Sequence, residues 1–501
     1  MKTCIIIGGG LGGLVSGALL AKEGYKVTVL EKNAIIGGGL QTFKRHGVSF
    51  PTGMHIFGGF TEGGNLRKIF DYLCVTDQLL LRPMDDNAVD AVTVAEDGMT
   101  YRLPKGKEKI VAYLSSFFPE EKNHLKAYFD CLYELSQEED LFYLRDTQAY
   151  GTTQFSDDFN CPFDELIDRY ITNPKLKGLL SYLGPLFGGV EGVTPAYLNA
   201  LLSVLHWEGT FQFVGGSQQM AEALKEVIEK AGGQVKANAE VVNIKVENHL
   251  VTGVITIDGN SYQADSYISD VHPDILLRLV DDDAFPTAFK KRVSEISETT
   301  SSFKVFIKFK DQTFPYLNHA NYFLNNYKNA NSLQSNNWPE SVMFVTPPVK
   351  NQGNFAETMV IITEMDYQWV LPWENTITGH RGTAYKKWKQ AMTDKVLDRM
   401  ESLYPDFRDR IEFIFASSPL TIRDYYGNKE GSNYGFLKDS HNLMLSQMSV
   451  FTKVKNLYLT GQNVNIHGLC GVSLTAIETA EALVGQNVIV RKINKYCLNH
   501  S

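Results

Sequence analysis

The chain opens on a short apolar run, Cys4-Ile5-Ile6-Ile7 after Thr3, of the kind that forms a parallel strand buried on both faces. Leu14, Ala18 and Ala21 then recur at helical spacing, and Gly24 stands where a glycine ends a helix. Residues 26–31, Lys-Val-Thr-Val-Leu-Glu, predict a second strand ending in an acid. Further on, Gly215-Gly216-Ser217 predict the cap of a helix over 218–230 that stops at Gly232-Gly233. Residues 235–246 read as one loosely alternating strand, with shorter strands at 251–255 and 264–269. Near the C-terminus, 456–461 is a buried strand running into a glycine, 462–472 a glycine-bearing turn, and 473–483 a helix with Ser473 as its N-cap. Elsewhere 120–139 and 383–404 carry helical periodicity, and 302–309, 341–345 and 358–365 look like strands. The Asn-rich stretch 318–337 has no periodicity and reads as a surface loop. No internal repeat is evident.

Strand, turn, helix, strand at the N-terminus gives the pattern a chemical meaning. The turn is Gly8-Gly9-Gly10-Leu11-Gly12-Gly13, which supplies G-x-G-x-x-G at Gly8, Gly10 and Gly13. The first glycine permits the tight turn, the second lets backbone approach a pyrophosphate, and the third allows close helix–strand packing. The helix start presents free N–H groups and a positive dipole end to phosphate. Glu31 is spaced to accept from a ribose hydroxyl, and its charge disfavours a 2′-phosphate there. A second glycine cluster, Gly37-Gly38-Gly39, follows at once where an NAD-binding domain would continue into helix and strand. That cluster favours a long, extended ligand, FAD rather than NAD.

Composition narrows the class. With 57 acidic against 48 basic residues the net charge is −9, which argues against a nucleic-acid partner. Residues 3–21 carry no charge, as a signal sequence or short membrane span would, yet Gly8, Gly9, Gly10, Gly12, Gly13 and Gly17 are too much glycine for an apolar helix. The six cysteines form no C-x-x-C pair and no zinc-like cluster, so neither a metal site nor a disulfide framework is expected, and a reducing, cytoplasmic setting is.

These blocks resemble the phytoene desaturase and carotenoid isomerase family of FAD oxidoreductases, and within it the retinol saturase branch. The resemblance rests on Gly8 to Gly13, Glu31-Lys32, Gly37-Gly38 through Thr42-Phe43, Gly53-Met54-His55, Phe213-Val214-Gly215-Gly216, Val241 and Thr460-Gly461-Gln462. The runs Ser418 to Tyr426 and Glu430 to Gly435 add to it, in the family's order along nearly the whole chain. It implies an α/β architecture: a Rossmann-like, GR2-type FAD-binding domain assembled from residues 1–75, 213–270 and 418–490. A substrate domain of α+β type is inserted twice, at 76–212 and 271–417, and 491–501 is left as a tail. It implies that Gly8, Gly10 and Gly13 face the pyrophosphate of FAD, Glu31 the adenosine ribose and Val241 the adenine, with Leu11, Gly12 and Lys32 as further cofactor-binding residues. Gly37, Gly38, Gly53, Met54, His55, Gly461, Gln462, Gly471 and Val472 would lie along the rest of the cofactor. Two departures stand out. Many relatives carry Gly-Asp where this chain has Gly461-Gln462, and Gly39 stands where retinol saturases tend to carry cysteine.

The activity implied is hydride transfer between flavin and a carbon–carbon double bond of an apolar polyene or isoprenoid, in the direction of saturation, desaturation or isomerisation. Candidate proton donors are His55, His467 and Tyr425, with solvent as the fourth. The aromatics Phe142, Tyr143, Trp207, Phe211, Phe213, Trp369 and Trp373 read first as core, and alternatively as the walls of an apolar tunnel. No second G-x-G-x-x-G exists, so the electron donor or acceptor is external and unidentified: transient NAD(P), another flavoprotein, a ferredoxin or a quinone. Rival readings are a flavin amine oxidase, a prenyl-lipid binder of the Rab escort or GDI type without FAD, and a simple NAD dehydrogenase. The C-terminal stretch 487–497 mixes apolar and basic residues and reads as a solvated terminus or as a peripheral contact with the inner membrane face. Oligomeric state has no sequence signal.

Overall fold

The computed structural model describes residues 1–148, 155–281, 283–328 and 337–500. The N-terminal unit forms as read: β1 spans Thr3–Ile7, α1 Leu11–Lys22 and β2 Lys26–Leu30. β1 lies at the centre of a five-stranded parallel sheet, because its side chains are apolar on both faces. β2 and the Gln234–Lys236 strand lie on one side of it; Ser266–Ser269 and Leu457–Leu459 lie on the other. The Gly468–Val484 and Gln218–Lys230 helices pack against α1. This is an α/β, Rossmann-like sheet assembled from segments far apart in the chain.

A seven-stranded mixed sheet faces the first unit. It takes Asp90–Val94 and Met99–Leu103 from early in the chain, and Ser301–Phe309, Ala320–Leu324, Ser341–Val345, Thr358–Met365 and Ile411–Ser417 from later. Ser301–Phe309 is buried at all nine positions, since both of its faces are covered. The Gly382–Leu403 helix buries Met392, Val396 and Met400 in a core shared with Phe303, Val305 and Ile307 of that strand.

Five expectations from the sequence need correction. The loop expected at 318–337 contains a strand, Ala320–Leu324, with all five residues buried; its central Tyr-Phe-Leu was masked by the asparagines around it, and 329–336 lie outside the described residues. The strand expected over 235–246 is two strands in two sheets, Gln234–Lys236 in the parallel one and Val241–Glu247 in an antiparallel three-stranded one. Ser473 is not an N-cap: the helix starts at Gly468 after His467, and the Ser473 hydroxyl donates to the Leu469 carbonyl within it. The C-terminal stretch is a helix, Val488–His500, whose Ile489, Val490 and Ile493 are buried, so these side chains are not available to a membrane surface. Ser217 does precede the 218–230 helix, but its hydroxyl donates to the Leu40 carbonyl instead of capping.

Candidate functional site

Four strand ends of the parallel sheet converge. Gly8 follows Ile7, Glu31 follows Leu30, Asp270 follows Ser269, and Thr460-Gly461 follow Leu459. Ligands of open parallel sheets bind at this carboxyl edge, and the start of α1, with Gly10 as an N-cap that offers no side chain, points into it. Gly8 turns the chain at φ +103°. A β-carbon on Gly13 would lie 2.2 Å from the Gly8 carbonyl oxygen, so the third glycine of the motif holds helix against strand and does not line the cleft. Gly37 is also structural: its N–H donates to the Gly9 carbonyl at 2.7 Å. Glu31 accepts from the Gly9 N–H through one oxygen and from the Asn33 N–H through the other, both at 2.8 Å, which fixes the carboxylate at the end of the cleft.

The cleft continues into a cavity of about 630 Å³. Gly8, Gly10, Leu11, Gly12, Glu31 and Lys32 line its outer end, together with Val241. Gly38, Gly53, Met54 and His55 line its middle, facing Gly461, Gln462, Gly471 and Val472. Of the predicted cofactor residues, only Gly13 and Gly37 stay off its surface.

The proton donors named from sequence fare differently. Both ring nitrogens of His55 are buried without a hydrogen-bond partner, and burial, with the Lys304 charge adding, holds the ring's pKa well below its ordinary value. His467 donates from Nε2 to the Leu186 carbonyl at 3.3 Å, and burial lowers its pKa to about 4, so it is a neutral wall residue. Tyr425 is 47% exposed at the outer end, where its carbonyl accepts from Asn33. The neighbouring Tyr426 is half-buried with its hydroxyl turned inward: a β-carbon on Gly53 would lie 2.8 Å from that hydroxyl, and burial raises its pKa to about 12. Of the aromatics, Phe142 lines the cavity; Tyr143, Trp207, Phe211, Phe213, Trp369 and Trp373 do not. Trp207 is stacked on Phe129 in the core.

Sequence reasoning missed several polar residues. Asp270 sits over the glycine loop, with carboxylate oxygens 2.5 Å from β-carbons built on Gly12 and Gly461 and 2.7 Å from one on Gly10. Burial raises its pKa to about 7, with Glu31's charge adding, against hydrogen bonds from the Gly13 and Gly10 N–H groups. Its signal was available: like Gly8 and Glu31, it is the first residue after a strand. Lys304 projects from the buried Ser301–Phe309 strand, donates to the Thr52 carbonyl at 3.0 Å, and is lowered to about 8 by burial. Glu364, raised to about 8 by burial, faces the cavity with Tyr434.

The cradle therefore fits a dinucleotide: glycines where a β-carbon would fill the cleft, a helix start, and a fixed carboxylate at the far end. The model of the flavin-containing amine oxidoreductase family matches residues 11–484. The chain belongs to that family. It is an FAD-dependent oxidoreductase, and two curated relatives of the family span almost all of it. All-trans-retinol 13,14-reductase of Danio rerio is 27% identical over 97% of this chain and 86% of its own length. The 4,4'-diaponeurosporene oxygenase of Staphylococcus aureus strain MW2 is 25% identical over 98% of this chain and 100% of its own. Solved structures agree on the fold: an oxidoreductase from Methanosarcina mazei superposes with a TM-score of 0.64 at 17% identity, over 96% of this chain and all of that one. Putrescine oxidase gives 0.64 at 14% identity, over 96% of this chain and 99% of its own. Among the described residues no group of His, Cys, Asp or Glu is arranged to hold a metal ion, and no single helix is long and apolar enough to cross a membrane.

Proposed function

We propose that the chain saturates carbon–carbon double bonds of an apolar polyene or isoprenoid, or desaturates in the reverse direction, or isomerises them without net redox change. The observation that carries this reading is the apolar extension of the cavity beyond the glycine cradle. Ile362, Met343 and Leu324 form its floor on the mixed sheet, and Leu198, Leu201, Leu202 and Leu205 of the Ala196–Trp207 helix line it as well. Such a cavity takes up a lipophilic chain and excludes water. The names of the retinol reductase and diaponeurosporene oxygenase relatives agree with a polyene substrate.

In this reading Gly8, Gly10, Leu11 and Gly12 hold the pyrophosphate, Glu31 and Lys32 the ribose, and Val241 the adenine. Gly38, Gly53 to His55, Gly461-Gln462 and Gly471-Val472 line the rest of the cofactor. FAD held there would supply the chemistry of hydride transfer, to one carbon of a double bond in saturation or from one carbon of a CH–CH unit in desaturation. The chain orients the polyene, keeps water out, and holds the proton for the neighbouring carbon, with Lys304 Nζ and the Tyr426 hydroxyl as the proton-bearing groups at that end of the cavity. The electron donor or acceptor is external, and an apolar substrate is drawn from a membrane surface that a cytoplasmic protein touches peripherally.

The test is direct. The purified protein should be yellow and release FAD on denaturation. Anaerobically reduced protein mixed with retinoids and carotenoids should reoxidise and yield a product two mass units heavier. Oxidation of an amine panel without any reaction of polyenes would establish the amine oxidase reading instead; a protein that stays colourless with added FAD would turn attention to prenyl-lipid binding.

A further inference from the structure

The floor of the cavity carries its own ruler. Across four strands of the mixed sheet, Lys304 pairs with Ile362, Ile362 with Met343, and Met343 with Tyr322. All four side chains line the cavity. The row runs polar, apolar, apolar, polar over three strand spacings, about 14 Å. Lys304 is tied to Thr52 beside the Gly53 cofactor segment, so Tyr322 marks the remote end.

That end is a polar cluster set in leucine and phenylalanine. Asp90 Oδ2 accepts from His206 Nε2 and from the Tyr182 hydroxyl, each at 2.7 Å, and Trp207 Nε1 donates to Tyr182 at 3.3 Å. Asp90 is 0% and His206 5% exposed. Tyr322, 4% exposed, packs edge-on against the Tyr182 ring at 5.0 Å. Its hydroxyl and Asp90 Oδ1 are buried without a hydrogen-bond partner. Burial and the Asp90 charge keep both tyrosines protonated, their pKa values well above the usual phenol range. Buried polar atoms are nearly always paired, so the Tyr322 hydroxyl, orphaned in the cavity wall, marks the place of a missing partner. The Tyr322 phenol has a proton to donate and the Asp90 carboxylate behind it repels an anion, so an uncharged acceptor oxygen fits there.

We propose that Tyr322, Tyr182, His206 and Asp90 form a subsite for a hydroxyl or carbonyl oxygen at the end of the substrate remote from the reacting double bond. This rests on the polyene reading of the cavity and adds that the polyene is oxygenated at its far end. Tyr322 meets the oxygen, and His206 and Tyr182, held by Asp90, orient the pocket around it.

The experiment uses two probes, all-trans-retinol and 4-oxoretinol, which adds a carbonyl at the ring end opposite the alcohol. Dissociation constants are read from flavin difference spectra of the oxidised holoenzyme, for the wild type, Tyr322→Phe and Tyr182→Phe. The expected result is at least fivefold tighter binding of 4-oxoretinol by the wild type, reduced to within twofold in Tyr322→Phe and Tyr182→Phe, with retinol affinity unchanged. Equal affinities in the wild type, or a preference that survives both substitutions, overturns the subsite alone. If the yellow protein binds neither retinoid, the polyene reading fails and the subsite fails with it.

Discussion

A β-carbon placed on Gly12 would lie 2.5 Å from Asp270 Oδ1, closer than any side chain tolerates. The glycine loop is therefore shaped by the carboxylate above it as well as by the ligand below. Gly12→Ala should push Asp270 or the start of α1 out of place and weaken FAD binding at least tenfold, measured by flavin fluorescence titration of the apoprotein.

Asp270 also makes cofactor affinity depend on pH. Its carboxyl is raised to about 7, so it is mostly neutral below that value and anionic above it. The Glu31 carboxylate acts on it, and the buried His272–Glu298 pair, 2.9 Å apart, lies two residues on in the chain. An anion beside the pyrophosphate opposes binding, so FAD should bind more tightly at pH 6 than at pH 8, approaching tenfold per unit above 7. Asp270→Asn should flatten that profile; an unaltered slope would assign it to other groups.

Lys304 is expected to set an alkaline limit on turnover. Burial lowers its ammonium to about 8, so it carries a donatable proton below that pH and loses it above. Lys304→Met should reduce polyene turnover by more than tenfold, as removal of a general acid does, and erase the fall in rate above pH 8. The flavin content should not change.

The cavity's width can be tested by filling it. Leu202 lines it from the Ala196–Trp207 helix. Leu202→Trp should leave the flavin spectrum intact and cut kcat/KM for a polyene by more than tenfold.

Glu481 tests the C-terminal helix. Its carboxylate accepts from the Asn487, Ile489 and Val490 N–H groups at 2.7, 3.0 and 3.0 Å, the role of a cap supplied from outside the helix. Hydrogen bonds to a charged group contribute about 1.5–3 kcal/mol, so Glu481→Gln should lower stability by about 2 kcal/mol in denaturant titration.

What the sequence made readable was local. The Thr3–Ile7 strand, the glycine turn and the 218–230 helix are written in neighbouring residues, and nothing distant overrides them. Lys304 and Asp270 escaped because a charge in an apolar strand, or just after one, looks like the edge of burial when it in fact faces a cavity that only the second sheet closes. The helix start at Gly468 was misread because Gly471 resembles a turn residue. Glycine is required there for a different reason: a β-carbon would lie 2.5 Å from Ile466. Tyr426 was passed over for Tyr425, since one residue of phase along a helix decides which ring turns inward.

The order in which the parallel sheet is assembled has a consequence for biosynthesis. β1 is made well before its neighbour Ser266–Ser269, which follows more than two hundred and fifty residues later, and Leu457–Leu459 closes the edge nearly two hundred residues after that. Asp90–Val94 likewise waits for Ala320–Leu324. Long-range pairings of this kind form slowly and leave strand edges open while they wait. A chain stalled before residue 457 would lack the strand that brings Gly461 to the cleft, so flavin capture should wait until that strand has paired.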